Sequence, residues 1–460
     1  MKMKIAVIFV AAFFIRFLSL DQSLWLDEAV TATAVTTNSF VTLFTQFLRY
    51  DFHPPFYYLL MKFVTLFLGS SEVVLRLPSV LFSLATGYVV YKIVKELKNE
   101  SAGMWASVFF LFNPLIVYYS QEARMYMMAT FFLTASLYYY LRIEKYVKET
   151  KMRDLVFFNI FTALGLLTFY GSIFFVAAVL IHRYIKTKKI PLSLLPGSII
   201  SLLVLSPLLL MQVENARASL LMVTNWKQVL GTANIKNAVL IPLKFATGRI
   251  SMEPKIIFFA VSGLWTAFLL LLTLVGGIKN RSLIVIFLLT LAIGFLFSFV
   301  TPVLQYFRFL YLIPLMVMLI TLGSGPISKG IVITGCLIFS LSYVLFPQFH
   351  REDWKSLVAA LPAKDAVYVI LPSADPLKYY ISQGVHARVP LGELREINRS
   401  ALPGRFVIVP YTADIYGFDY TSPLSKSGHR LIEKVSVRGL QYEVWQNVLP
   451  PFMQVDVELL

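Results

Sequence analysis

Charge, cysteine and histidine are all scarce in this chain, and each scarcity excludes something. Only 14% of its 460 residues are charged, and 58% are apolar. A soluble globular domain carries about 25% charge, so most of this chain is not built to face water. The single cysteine, Cys336, lies inside a late apolar run. That rules out an intrachain disulfide and a cysteine metal cluster. The five histidines show no His-x-x-x-His or equivalent spacing, so no metal site is expected. No internal repeat or low-complexity tract is present. Acid is scarce too: 25 Asp and Glu stand against 41 Lys and Arg, a net charge of +16. Much of that excess sits in short turns between apolar runs, as the positive-inside bias of membrane proteins requires. Membrane lipid is therefore an expected partner and nucleic acid is not.

Apolar runs of about 18 residues or more recur from the N-terminus to Phe346, each long enough to cross a bilayer. The first run follows Lys2 and Lys4 but lacks a small-residue cleavage site, so it reads as an uncleaved helix. About eleven spans are predicted, at 5–20, 76–94, 102–119, 125–142, 155–170, 171–185, 194–212, 255–277, 282–301, 303–322 and 327–346. The count places Lys92–Lys98, Arg142–Arg153, Arg183–Lys189, Lys279–Arg281 and Lys329 on one side, the cytoplasm. The apolar stretch 54–69 breaks this alternation if it spans. It therefore reads as an interfacial or re-entrant helix in a long first outer loop. Its Pro54-Pro55 start suits a first helical turn, and Tyr57, Tyr58 and Lys62 suit an interface. From Pro347 onward charges and turns return. There 353–358 reads as a short helix, and 366–371, 405–410 and 442–448 read as strands, which suggests a small α/β domain.

Several short motifs are grouped on the other side of this topology. Leu26-Asp27-Glu28 follows the first span directly. Two adjacent carboxylates there are costly against lipid but natural in an aqueous pocket, where one can act as a base. Adjacent helical residues point about 100° apart, so usually only one of the two faces such a pocket. A solvated acidic loop or a helix cap is the plain alternative. Downstream come His53-Pro54-Pro55-Phe56-Tyr57-Tyr58, Arg76-Leu77-Pro78-Ser79 and Gln121-Glu122-Ala123-Arg124-Met125-Tyr126. His53 can bind a sugar, contact an acceptor or cap a helix. Arg124 can pair with Glu122, hold phosphate or snorkel at a helix end.

In this order the motifs resemble the GT-C glycosyltransferases that use a polyprenyl-phosphate sugar donor. The resemblance is to the protein O-mannosyltransferase and lipid A aminoarabinose transferase branch, and it covers roughly residues 10–320. It implies that Asp27 is the catalytic base and Glu122 a second acid of the active site, with Glu28 beside them. It also implies substrate contacts by His53, Tyr57 and Arg124. Family members often carry an Arg-Tyr pair before the Leu-Pro of the tenth span. Here Tyr306-Phe307-Arg308 is a looser match, with Arg308 suited to a lipid phosphate. Lys244, Arg249, Arg217 and Lys227 are further cations in the 213–254 loop. Many relatives have a His or Lys between spans five and six, where this chain has Thr168-Phe169-Tyr170-Gly171-Ser172. A vaguer echo appears at Glu352-Asp353-Trp354.

The sequence thus predicts an all-α polytopic membrane domain of GT-C type over 1–346. It has interfacial helices in its first outer loop, and an extracytoplasmic α/β domain follows over 347–460. The predicted protein is a cell-membrane inverting glycosyltransferase without a cofactor. Its donor would be a polyprenyl- or dolichyl-phosphate sugar, and its acceptor a hydroxyl of a protein, lipid or glycan. The alternative is a lipid or polysaccharide transporter or flippase. Transporters place ionisable groups near the bilayer midplane, whereas here the candidate charges gather at one face.

Overall fold

A computed structural model describes residues 2–146, 149–223, 225, 230–397 and 402–448. The chain forms two compact units that interleave in sequence. The larger takes in 1–21, 38–216 and 227–350; the smaller takes in 22–37, 217–226 and the chain from Arg351 onward. The expected division at residue 346 is linear along the chain, and these units are not.

The larger unit is helical. Each apolar run predicted to span contains a helix, from Lys2–Phe17 to Pro326–Leu345. Five helices are long and apolar enough to cross a membrane: Glu72–Leu97, Pro196–Ala216, Lys255–Lys279, Tyr306–Gly323 and Pro326–Leu345. A sixth follows if Glu100–Leu111 and Pro114–Ser120, bent by 62°, form one broken span. The bend has a local cause. Asn113 turns its Oδ1 onto the amides of Leu115 and Ile116, at 3.0 and 3.2 Å, and Pro114 opens the new helix. The remaining helices are shorter or less apolar, so they reach the predicted positions without meeting the length and apolarity of a full span. Phe56–Leu68 is a separate 13-residue helix, in the stretch expected to be interfacial.

The basic turns meet at one end of this unit. Arg142, at the end of helix Tyr126–Lys145, pairs with Glu96 at 3.5 Å and Asp154 at 3.2 Å. Lys186 pairs with Glu144 at 3.0 Å. Together with Asn280 and Ser282 these ends line a cleft of about 210 Å³. Helix Tyr126–Lys145 has 20 residues, so Arg124 just before its start lies about 30 Å from this end.

The smaller unit holds one five-stranded sheet in the order β2-β1-β3-β5-β4. The strands are β1 (Ala366–Val369), β2 (Leu391–Glu393), β3 (Arg405–Val409), β4 (His429–Val437) and β5 (Leu440–Asn447). β1 runs parallel to β2 and β3, and β5 runs antiparallel to β3 and β4. Tyr368, Phe406, Ile408 and Trp445 from three neighbouring strands share a core with Leu394 and Leu424. Helix Trp354–Ala360 starts where the sequence places it, with Asp353 as its cap. β2 and β4 were not expected.

Candidate active site

In the larger unit the His53, Arg76–Ser79 and Glu122–Arg124 motifs form one polar cluster, buried at Arg76, Ser79, Glu122 and Arg124 and half-buried at His53. The chain leaves a short helix at Asp51, which turns to extended backbone. The Asp51 carboxylate takes up His53 Nδ1 at 3.1 and 3.2 Å. The other ring nitrogen of His53 meets Arg124 Nη2 at 3.3 Å. These partners assign the tautomer: Nδ1–H donates to Asp51, and Nε2 accepts from the guanidinium. Burial pushes the Asp51 carboxyl up, but His53 and Arg124 outweigh it, and the group titrates below the usual carboxylate range. Asp51 escaped the sequence reading. The Asp-x-His spacing before Pro54 was its only signal.

Glu122 and Arg124 sit on a tight turn, with the Arg124 amide donating to the Glu122 carbonyl at 2.8 Å. Both side chains are buried. The turn is held from two sides. Ser79 Oγ donates to the carbonyls of Glu122 and Arg124, at 2.7 and 3.4 Å. Gln121 Nε2 donates to the carbonyls of Arg16 and Leu18, at 2.9 and 2.6 Å. Arg76 donates to the Leu20 carbonyl at 2.8 Å. The Arg76–Ser79 motif therefore scaffolds the Glu122 turn.

Tyr306 opens the turn Tyr306–Leu312, and the Phe307 ring packs on Tyr126 at 5.3 Å and on Tyr119 at 6.4 Å. Glu122, Tyr306 and Arg249 all act electrostatically on Tyr119, which brings these three groups around one ring. Arg308 donates to the carbonyl of Pro302 in its own loop, at 3.0 Å. Tyr57 is buried, edge-on to Tyr58. Tyr170 lies in the turn between the fifth and sixth predicted spans. Its hydroxyl donates to Gln212 at 2.6 Å, and Gln212 donates to the carbonyls of Leu48 and His53, at 2.7 and 3.2 Å. That turn thus bears on the His53 segment through backbone.

Beside this cluster lies a pair of cations. Arg249 donates to the Tyr118 hydroxyl at 2.9 Å and rests over its ring at 5.1 Å. Lys244 Nζ donates to the Ile250 carbonyl at 3.3 Å. Burial, with the charge of Arg249, pushes the Lys244 ammonium down to about 8. Gly248 between them has φ +68°, and a Cβ there would press on Pro114 at 3.1 Å, so this turn packs directly against helix Pro114–Ser120. Asn113 adds a bond to the Phe245 carbonyl at 2.9 Å. Arg217 has no described side chain, and Lys227 lies outside the described residues.

Asp27 and Glu28 belong to the smaller unit, in the first turn of helix Leu26–Thr37. The structure gives them different surroundings. Glu28 is buried at 1% exposure and turns back to accept the Trp25 amide at 3.4 Å, as a capping residue does. Asp27 is half-buried and so remains open to solvent on one side. The segment is fixed at its start: the Leu24 amide donates to Tyr380 Oη at 2.7 Å, and the Lys355 amide to Ser23 Oγ at 3.1 Å.

Residues 52–211 match the family of dolichyl-phosphate-mannose-protein mannosyltransferases. No curated protein matches the chain in sequence. Among solved structures the chain is similar to ArnT from Cupriavidus metallidurans in the apo state, at 14% identity and TM-score 0.60. The match covers 96% of this chain and 98% of that one. ArnT bound to undecaprenyl phosphate is similar at TM-score 0.57, with the same identity and coverage. The archaeal oligosaccharyltransferase AglB from Archaeoglobus fulgidus, in complex with an inhibitory peptide and a dolichol-phosphate, is similar at 10% identity and TM-score 0.57. That match covers 98% of this chain and 75% of AglB. The chain thus has the fold of the GT-C glycosyltransferases and, over residues 52–211, the sequence pattern of their dolichyl-phosphate-mannose mannosyltransferase family.

Proposed function

We propose that the chain is an integral-membrane glycosyltransferase that moves a sugar from a polyprenyl-phosphate donor to an acceptor hydroxyl at the outer membrane face, inverting the anomeric centre. The observation that carries this reading is the Lys244–Arg249 pair. The charge of Arg249 bears on Lys244 and, with burial, lowers its ammonium to about 8, and two cations that repel one another favour an anion beside them. A lipid phosphodiester supplies one negative charge there. The solved relatives bound to undecaprenyl phosphate and dolichol-phosphate support that choice of anion.

The chemistry needs few groups. The acceptor oxygen attacks the anomeric carbon as its proton passes to Asp27. The bond from that carbon to the phosphate oxygen breaks, and the phosphate leaves with the bonding pair. Attack from the face opposite the leaving group inverts the centre, as in other single displacements on sugars. The departing phosphate is a weak base, with a second pKa of about 6, so it is a good leaving group and no strong general acid is required. Arg249 and Lys244 stabilise the charge that grows on it, while Glu122 orients the sugar or acceptor hydroxyls. Purified protein given labelled polyprenyl-phosphate mannose, other hexoses or aminoarabinose should consume at least one donor and release free polyprenyl phosphate, read by mass spectrometry. Folded protein that binds polyprenyl phosphate yet consumes none of them would overturn the reading.

The reading also requires an orientation. The basic turns belong in the cytoplasm, and the C-terminal unit and motif-bearing end belong outside. Single cysteines at positions 98 and 426, placed on Cys336→Ala, should report this to an impermeant maleimide in intact cells. Position 426 should label and position 98 should not; the reverse pattern would move the active site to the cytoplasm.

A further inference from the structure

The motif Glu352-Asp353-Trp354 has no part in the chemistry above, yet in the smaller unit it surrounds the segment that carries Asp27. The backbone of 351–353 is locked. The Asp353 amide donates to the Arg438 carbonyl at 2.9 Å, and Arg438 Nε donates back to the Arg351 carbonyl at 3.0 Å. Arg438 also pairs with Asp353 at 3.6 Å. Gly439, at φ +73°, lets the β4–β5 turn close onto Glu352, whose Cα a Cβ would meet at 3.3 Å. A rigid loop therefore aims the side chains of Arg351 and Glu352.

Arg351 reaches the Asp27 segment directly, and Glu352 holds Tyr411. The Arg351 guanidinium carbon lies over the Trp25 ring, 3.5 Å from its centroid, in van der Waals contact. A planar guanidinium makes such a stack and an ammonium does not. Trp25 stands two residues before Asp27, and its amide is the one that Glu28 caps. From the other direction comes Tyr411, just beyond β3. Its ring stands edge-on to Trp354, at 4.9 Å and 86°. Its hydroxyl bonds to Glu352, and Asp27, Glu352 and Arg351 all act on it electrostatically. Burial and the two carboxylates push the phenol far above its ordinary range, so it stays a neutral O–H donor at any working pH. Tyr411 also lines a cleft of about 540 Å³ with the turn Ser436–Gln441.

We infer that Arg351 and Tyr411 are positioning residues for the Asp27 carboxylate, Arg351 by clamping Trp25 and Tyr411 by bonding Glu352 and packing on Trp354 within electrostatic reach of Asp27. The inference rests on Asp27 being the base of the proposed reaction. A base must lie within hydrogen-bond reach of the proton it takes. A displacement of about 1 Å can cost about a hundredfold in rate. The donor phosphate is assigned to Lys244 and Arg249, so the two sets of variants should act on different constants.

The test is a kcat-against-affinity split in the full-length protein. Arg351→Lys keeps the charge and loses the stack; Tyr411→Phe keeps the ring and loses the hydroxyl. Each should lower kcat by about ten- to a hundredfold, with unchanged affinity for polyprenyl phosphate and an unchanged melting temperature. Trp25→Phe keeps a ring under Arg351 and should retain more activity than Trp25→Ala. Trp25→Ala combined with Arg351→Lys should be no worse than the weaker single variant, because both remove one clamp. Wild-type kcat in both Arg351→Lys and Tyr411→Phe, with Asp27→Asn inactive, would overturn the inference and leave the base in place. Loss of donor affinity or of folding in step with kcat would also overturn it. Full activity in Asp27→Asn would instead remove the base on which it rests.

Discussion

Asp27→Asn should lower sugar transfer by about 10²- to 10⁴-fold, the range that a positioned general base contributes. Asparagine keeps the size of the side chain and can still accept a hydrogen bond, but it cannot take a proton at neutral pH. Asp27 is half-buried, so the change opens no cavity, and folding and donor binding should persist. Glu28→Gln is the internal comparison. Its carboxylate is buried and accepts the Trp25 amide, and the glutamine carbonyl can accept the same bond. Turnover of Glu28→Gln should therefore stay within a few-fold of wild type, with any loss appearing as a lower melting temperature in detergent. Near wild-type transfer by Asp27→Asn would sink the mechanism. If Glu28→Gln were then inactive, the base would move by one residue and the reaction class would stand.

That two adjacent acids divide into cap and candidate base shows where sequence stops. The motif places both carboxylates at a helix start, but only backbone geometry decides which one turns back. Apolar runs made the helical segments legible because burial in lipid demands continuous hydrophobicity. The same signal hid the break at Asn113-Pro114, where cap chemistry was visible but sat inside an apolar stretch. It also merged the 3-10 turn Tyr306–Leu312 with helix Ile313–Gly323. In the sheet, β1, β3 and β5 were found through their apolar cores. β4 was missed because it is an edge strand whose residues Arg430–Lys434 are exposed, and β2 has three residues.

The site divides in the same way. Glu122, His53 and Arg124 were legible because motif order carried them. Asp51 was not, because an acid two residues before a histidine gains meaning only when the backbone turns its carboxylate onto Nδ1. The grouping of 22–37 with the chain beyond Arg351 joins residues more than 300 positions apart, and no local pattern encodes it. Arg308, expected as a phosphate ligand from its position before Ile313-Pro314, donates one nitrogen to the Pro302 carbonyl of its own turn. The proposed phosphate ligands, Lys244 and Arg249, lie in a loop where single cations carried little signal.

Arg249→Ala should therefore weaken binding of polyprenyl phosphate more than any other single cation change. A hydrogen bond to a charged group contributes about 1.5–3 kcal/mol, which corresponds to about 10- to 150-fold in Kd. Arg249→Lys should recover part of that loss, since it keeps the charge but not the guanidinium fork. The pH dependence follows from Lys244. Its ammonium is pushed down to about 8 by burial and by Arg249, so its charge is present below that value and is lost as pH rises through it. Donor affinity should accordingly hold between pH 6 and 7 and fall between pH 8 and 9.5, with a bound phosphate shifting the break upward because it favours the charged form. Lys244→Met should remove the break. Arg249→Ala should move it to higher pH by removing the neighbouring charge, while burial, the larger cause, keeps it below the ordinary lysine range. Calorimetric titration with polyprenyl phosphate across this window, on protein of unchanged melting temperature, measures all of these effects. Unaltered affinity in Arg249→Ala together with a large loss in Arg308→Ala would transfer the phosphate to the 306–308 turn. A flat profile from pH 6 to 9.5 in the wild type would show that Lys244 does not meet the donor.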